Sequence, residues 1–150
     1  MKLSKTELLF FKACEDGKVD KIQDLIKHRD VDVNTIALHK AAAEGHVDVV
    51  NVLCQIGADM NAVDKEKRTA LQFAALKGHV AVATVLIQNG ADLNAADKYN
   101  LTPLHRAARN GHVDVAKVLI QNGADVNAVD NYKGTALHWA AFKGHVDVAK

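Results

Sequence analysis

A 33-residue period constrains this chain more than any other feature. Gly-His pairs stand at Gly45-His46, Gly78-His79, Gly111-His112 and Gly144-His145, each one period from the next. The same step links Leu38, Leu71, Leu104 and Leu137, the alanine pairs that begin at Ala41, Ala74, Ala107 and Ala140, and Asn61, Asn94 and Asn127. One supersecondary unit is therefore copied in register. A unit of this size cannot bury its own apolar face, so the copies must stack and touch only their neighbours. Composition narrows the functional classes. The chain has 150 residues, is 49% apolar and 25% charged, and carries a formal net charge of +1. The apolar content excludes a disordered chain, and the balanced charge lacks the basic excess of a general polyanion binder.

The unit has a physical reading. Thr102 is placed to cap a helix, and Pro103 suits its first turn, where a backbone N–H has no partner to lose. The helix runs through Leu104, Ala107 and Ala108, whose small side chains allow a neighbouring helix to approach. Gly111 supplies a turn. Val113, Val115, Val118, Leu119 and Ile120 then form the apolar stripe of a second helix. Gly123, after Asn122, suits the left-handed position that ends it. A polar, turn-rich stretch through Asp130 to Gly134 leads to the next unit.

These residues resemble the ankyrin repeat. The T-P-L-H-x-A-A motif spans residues 102–108, the G-H turn is Gly111-His112, and the N-G-A-D-V-N exit spans residues 122–127. The resemblance covers nearly the whole chain. It implies an all-α, ankyrin-type helical-repeat solenoid with projecting, hairpin-like fingers. It also implies a concave face, lined by the fingers and first helices, that binds other proteins. The L-H histidines His39, His105 and His138 would bond within and between repeats, with Gln72 as a polar substitute.

The repeats are unequal. Residues 1–34 read as an N-terminal cap unit with a Ser4/Glu7 capping box and a charged outer face. Repeats follow at 35–68, 69–101 and 102–134, and a shortened one at 135–150. Leu38 stands only four positions after Asn34, whereas Leu71 stands ten after Asn61, so one finger is missing. Ile36 stands where later repeats have Thr69, Thr102 and Thr135. The first helix of that repeat is expected to be capped by Thr35 or to be poorly capped. The stop at Lys150, aligned with Lys117, reads as a fragment boundary, with natural truncation as the alternative. Family members often carry glycine where this chain has Lys67, Asn100 and Lys133. Asparagine tolerates a left-handed backbone better than lysine does. The fingers bearing Lys67 and Lys133 are therefore expected to depart from the usual tip geometry.

No catalytic constellation is present. The chain has no G-x-S-x-G, P-loop, H-E-x-x-H or glycine-rich strand-to-helix fingerprint. Seven of the eight histidines are repeat positions too far apart for local zinc ligation. Cys14 and Cys54 align with core positions and read as buried, reduced thiols. Asp64, Asp97 and Asp130 read as turn-stabilising side chains, and Asn61, Asn94 and Asn127 as structural ones. The chain is expected to be a non-enzyme with no cofactor and no metal. No stretch suits a membrane span or an N-terminal secretory signal, so the expected compartment is the cytoplasm, with secretion by a signal that is not N-terminal as the alternative.

Constant positions build a scaffold, and variable ones can carry specificity. The variable set gives a candidate protein-binding surface of Lys65, Glu66, Arg68, Leu76, Lys77, Lys98, Tyr99, Leu101, Arg106, Arg109, Asn110, Asn131, Tyr132, Trp139, Phe142 and Lys143. Both tyrosines and the one tryptophan fall within it, and Tyr, Trp and Arg are enriched at interface hot spots. Phe73 either packs beneath the fingers or joins this surface. Bases far outnumber acids among the variable positions, so an acidic protein partner is expected, bound by a monomer. The rival readings are a binder of nucleic acid or anionic lipid headgroups, and the recruitment domain of a larger enzyme or effector.

Overall fold

A computed structural model describes residues 31–142, with the side chains of residues 35–141. Most of the expected cap unit, Cys14 included, lies outside the described residues, as do Lys143 and the side chain of Phe142. The described helices are α1 (Val31–Glu44), α2 (Val47–Gln55), α3 (Ala70–Lys77), α4 (Val80–Gln88), α5 (Pro103–Arg109), α6 (Val113–Gln121) and α7 (Ala136–Phe142). No strand occurs among the described residues. The first helices α1, α3, α5 and α7 pack side by side in one row. The second helices α2, α4 and α6 form a parallel row, each against the first helix of its own repeat. The all-α repeat stack is the fold expected.

The core follows from residue size. Ala37, Ala41, Ala42, Ala70, Ala74, Ala75, Ala107 and Ala108 are fully buried. Their methyl groups let the first helices lie close. Leu38, Leu53, Leu71, Leu86 and Leu119 fill the space between the rows, each at most 1% exposed. Each such leucine contributes about 2 kcal/mol by leaving water.

Turns link the copies. Gly45, Gly78 and Gly111 end the first helices with φ of 79°, 78° and 71°, a left-handed conformation that glycine adopts at no steric cost. Glycine is required at two of these positions for a second reason. A Cβ on Gly45 would lie 2.7 Å from the His79 ring, and one on Gly78 would lie 2.6 Å from the His112 ring. Those imidazoles reach back one repeat: Nε2 of His79 meets the Ala43 carbonyl at 3.0 Å, and Nε2 of His112 meets the Leu76 carbonyl at 2.9 Å. The G-H pair is thus an inter-repeat bond that needs both residues.

Two expectations are corrected. Thr35 does not cap a helix, because α1 already begins at Val31 and runs through residues 35 and 36. The short linker is helical instead of a finger, and the boundary expected at 34/35 falls inside α1. The tip geometry is also uniform. Lys67, Asn100 and Lys133 all take left-handed backbones, with φ of 62°, 60° and 62°. The two lysines accept the strain because bonds on either side fix the turn.

Candidate protein-binding face

Each finger is built around one aspartate. In finger one, residues 61–68, Asp64 Oδ1 accepts the backbone N–H groups of Glu66 and Arg68, both at 2.9 Å. In finger two, residues 94–101, Asp97 Oδ1 accepts those of Tyr99 and Leu101 at 2.8 and 3.0 Å. In finger three, residues 127–134, Asp130 Oδ1 accepts those of Tyr132 and Gly134 at 2.9 and 2.8 Å. The aspartate N–H also donates to the carbonyl four residues on in each finger. These bonds close the loop around the left-handed residue. The turn-stabilising role read for these aspartates is what the geometry shows.

The second carboxylate oxygen differs between fingers. Asp64 Oδ2 accepts from Arg68 Nε at 2.9 Å, Asp97 Oδ2 from Arg106 Nη2 at 2.5 Å, and Asp130 Oδ2 from the Trp139 indole at 2.6 Å. Arg106 and Trp139 occupy matching positions of α5 and α7. The matching residue of α3 is Phe73, which has no donor, so finger one uses Arg68 instead. Arg68 also lies over the Phe73 ring, 4.8 Å from its centroid. Burial alone would raise the Asp64 and Asp130 carboxyls. The Arg68 N–H and guanidinium at Asp64 outweigh it, as do the Gly134 N–H and the Trp139 indole at Asp130, and both carboxyls titrate below the ordinary range.

The fingers are tied to one another. Lys98 N–H donates to the Glu66 carbonyl at 3.1 Å, and Asn131 N–H to the Tyr99 carbonyl at 3.0 Å. Asn61 and Asn94 accept from the N–H groups of Asp92 and Asp125 in the next repeat, at 2.6 and 2.8 Å. The L-H histidines anchor the fingers from below. His105 Nδ1 accepts the Thr102 N–H at 3.0 Å, so Nε2 carries the proton and donates to the Gly134 carbonyl at 2.9 Å. His39 Nε2 meets the Ala62 carbonyl at 3.0 Å. Burial lowers the His39 pKa, against that backbone bond. Gln72 substitutes by donating from Nε2 to the Ala95 and Leu101 carbonyls at 3.0 and 2.6 Å. Its Oε1 is left buried without a partner.

The candidate residues divide into braces and exposed positions. Tyr99 is 47% exposed and Tyr132 84%. Lys65, Lys77, Asn110 and Asn131 are exposed, and Leu76 is half-buried. Lys98 is exposed but ion-paired with Glu66 of the preceding finger. Arg68 and Arg106 are ion-paired with Asp64 and Asp97. Asn110 ends α5 and donates to the Arg106 carbonyl at 2.9 Å. Arg109 lies 5.0 Å from the Trp139 ring centroid, and Trp139 is half-buried. Leu101 is corrected from contact residue to interior residue: it is 6% exposed, and its carbonyl serves Gln72. Phe73 packs beneath the fingers, half-buried against the core and beside His39 at 5.2 Å. Phe142 closes α7.

Sequence reading missed one feature of this surface. Gly134 stands where the other fingers have Arg68 and Leu101. A hollow of about 370 Å³ opens beside it, lined by Asp130, Tyr132, Gly134, His138 and Trp139. The signal was the repeat alignment itself, which puts arginine, leucine and glycine in register.

No group of three His, Cys, Asp or Glu side chains among the described residues is close enough to hold a metal ion. Cys54 is half-buried rather than fully buried. Its thiol sits 3.3 Å from Met60 Sδ, and burial pushes its pKa up, away from the thiolate a nucleophile needs.

Comparison with known proteins decides the family. The model for ankyrin repeats (3 copies) matches residues 9–97 and 94–150. The chain belongs to the ankyrin-repeat family. Ankyrin repeats are generally protein–protein interaction modules. The chain is also similar to alpha-latrocrustotoxin-Lt1a of Latrodectus tredecimguttatus, 40% identical over 62 residues. That match covers 37% of this chain and 4% of the relative, so the chain spans a small part of that protein's length. No helix among the described residues of the ankyrin stack is long and apolar enough to cross a membrane.

Proposed function

We propose that this ankyrin-repeat chain is a non-catalytic module that binds a protein partner through the concave face. The observation that carries this reading is the pair of exposed tyrosines, Tyr99 and Tyr132, at 47% and 84% exposure on adjacent, mutually bonded fingers. Rigid aromatic side chains on a pre-organised scaffold are efficient anchors, because little further order is needed on binding. Lys65 and Lys67 on finger one and Lys133 on finger three are exposed, and Lys77 ends α3. They favour an acidic partner by steering, whereas Arg68, Arg106 and Lys98 are already engaged by acids of the chain. The module works as a monomer in the cytoplasm, where a half-buried thiol such as Cys54 stays reduced.

The test is capture from a lysate of the source cell, with quantitative binding to each protein retained. Lys65→Glu with Lys67→Glu should slow association and flatten its salt dependence. Tyr99→Ala should mainly speed dissociation. Lys117→Glu, on the exposed side of α6, should change neither. A partner that binds all three variants equally well moves the working surface elsewhere. Duplex DNA and anionic vesicles, titrated in parallel, should bind weakly at physiological salt. Tight binding that falls steeply with salt would establish the phosphate-binding alternative instead.

A further inference from the structure

Fingers two and three are each tied to the finger before them by the residue that follows the turn aspartate. Lys98 N–H donates to the Glu66 carbonyl at 3.1 Å, and Asn131 N–H to the Tyr99 carbonyl at 3.0 Å. Between fingers one and two the side chains repeat the link, because the Lys98 ammonium is ion-paired with the Glu66 carboxylate. The matching residue of finger one is Lys65, one period before Lys98. Among the described residues no finger precedes it. The chain runs there as one helix from Val31 to Glu44, and Leu38 follows Asn34 by four positions instead of ten. The gap is therefore internal to the chain. Lys65 N–H donates to no backbone group among the described residues. Lys65 is exposed and joins none of the finger ion pairs. Finger one thus keeps open both donors that Lys98 uses on Glu66.

We infer that this open edge takes an extended, glutamate-bearing segment of the partner, which stands where a preceding finger would. The inference rests on the fingers being a protein-binding surface, and it names the residue that their first edge selects. The repeat itself is the template. A partner carbonyl accepts the Lys65 N–H, as the Glu66 carbonyl accepts from Lys98. The carboxylate of the same partner residue meets the Lys65 ammonium, as Glu66 meets Lys98. An unpaired backbone donor at an edge recruits an extended peptide: the main-chain bond gives affinity and the side chain gives selectivity. Charge favours the same occupant. Lys67 is exposed two residues on. The two acids of finger one are engaged, Asp64 by Arg68 and Glu66 by Lys98. A basic segment would meet two lysines there and no free carboxylate. The edge is also formed in advance. Lys67 N–H donates to the Asp64 carbonyl at 3.0 Å, and the Glu66 and Arg68 N–H groups donate to Asp64 Oδ1. These bonds hold Lys65 in its turn, so little further order is needed on binding.

The experiment selects random dodecapeptides on the full chain and measures the best binders against purified variants. The selected peptides should share a glutamate. Lys65→Gln removes the ammonium and should weaken binding about threefold, the scale of an exposed ion pair. Exchanging that glutamate for glutamine in the peptide should cause the same loss, and the two changes together should cost little more than either alone. Lys65→Pro removes the N–H as well and should weaken binding about tenfold. Proline suits this position, because Lys65 is the second residue of the turn that the Lys67 N–H closes on the Asp64 carbonyl. Lys65→Pro should therefore keep the urea midpoint of the parent. If its midpoint falls, Lys65→Gln and the glutamine peptide decide, since neither touches the backbone. Peptides with no shared glutamate, additive losses in the paired exchange, a folded Lys65→Pro that binds like the parent, or a selection that yields no binder would each overturn the inference. Peptides that bind Lys65→Pro normally but lose affinity for Tyr99→Ala would overturn the open edge and leave the protein-binding face standing.

Discussion

Fingers two and three hold the same aspartate in the same turn and differ in what reaches its outer oxygen. In finger two the donor is Arg106, whose side chain is 16% exposed, and Leu101 is buried beside it. A cation that looks available in the sequence is engaged inside the scaffold. In finger three the donor is the Trp139 indole, and Gly134 leaves the neighbouring space open. One polar atom of Trp139 does the structural work, and its ring packs beside Arg109, 5.0 Å from the centroid. Residues that vary between repeats are thus not all recognition residues. Some are alternative solutions to one bonding requirement.

The sharpest way to break this comparison is to remove the brace. Asp97→Ala leaves the Tyr99 and Leu101 N–H groups without their side-chain acceptor and strands a partly buried guanidinium. Loss of one partner from such a pair is expected to cost about 3 kcal/mol. Arg106→Trp should behave differently, because finger three already runs this geometry with tryptophan. It should stay within about 1 kcal/mol of the parent, the range of a volume-tolerant swap. Urea unfolding of both variants decides the matter. Equal losses would show that the fingers are not interchangeable.

A smaller loss should appear on acidification. Asp64 and Asp130 titrate below the ordinary carboxylate range in the folded chain. The unfolded chain therefore binds more protons in acid. Stability present above about pH 4 is lost as pH falls through the lowered folded values. His39 acts in the same direction at higher pH. Its folded pKa is lowered, so stability begins to fall below about pH 6.5 and continues to fall toward the folded value. Thermal melts across pH should show both steps. His39→Gln, which copies Gln72, should remove the upper step alone.

The next effect is a gain. Gln72 makes the finger contacts of its histidine counterparts but leaves Oε1 buried and unsatisfied. Gln72→His replaces that orphan with an Nδ1 placed to accept the Thr69 N–H, as His105 accepts the Thr102 N–H. The variant should be more stable by about 1 kcal/mol, the usual cost of leaving such a group unpaired. No change in the urea midpoint would mean that finger two tolerates the orphan through relaxation.

The repeat, its helices and the structural role of Asp64, Asp97 and Asp130 were legible in the sequence, because each is written several times at one spacing. The proposed binding face was legible only as a set of positions. The sequence does not say that Arg106 turns inward to Asp97, because that choice depends on a through-space distance set by the first helix. Leu101 failed as a contact for the same reason. Its place in the variable set says nothing about which side of the finger it faces. The continuous α1 was hidden because the four-position step from Asn34 to Leu38 fits a missing finger equally well whether it is coil or helix.

The smallest expected effect tests the left-handed tips. Lys67 and Lys133 hold φ of 62° where Asn100 holds 60° with less steric cost. Glycine removes the Cβ conflict but adds freedom to the unfolded chain, and the two effects partly cancel. Lys67→Gly and Lys133→Gly are each expected to stabilise the fold by about 0.5 kcal/mol, while Asn100→Gly should be close to neutral. Binding should move the other way for Lys133→Gly, because the exposed Lys133 ammonium is one of the finger-tip charges proposed to steer an acidic partner. A more stable chain with weaker, less salt-sensitive binding would explain why lysine persists at a position that favours glycine. If Lys133→Gly gains stability and binds its partner as tightly as the parent, the strain at that tip serves neither the fold nor the partner.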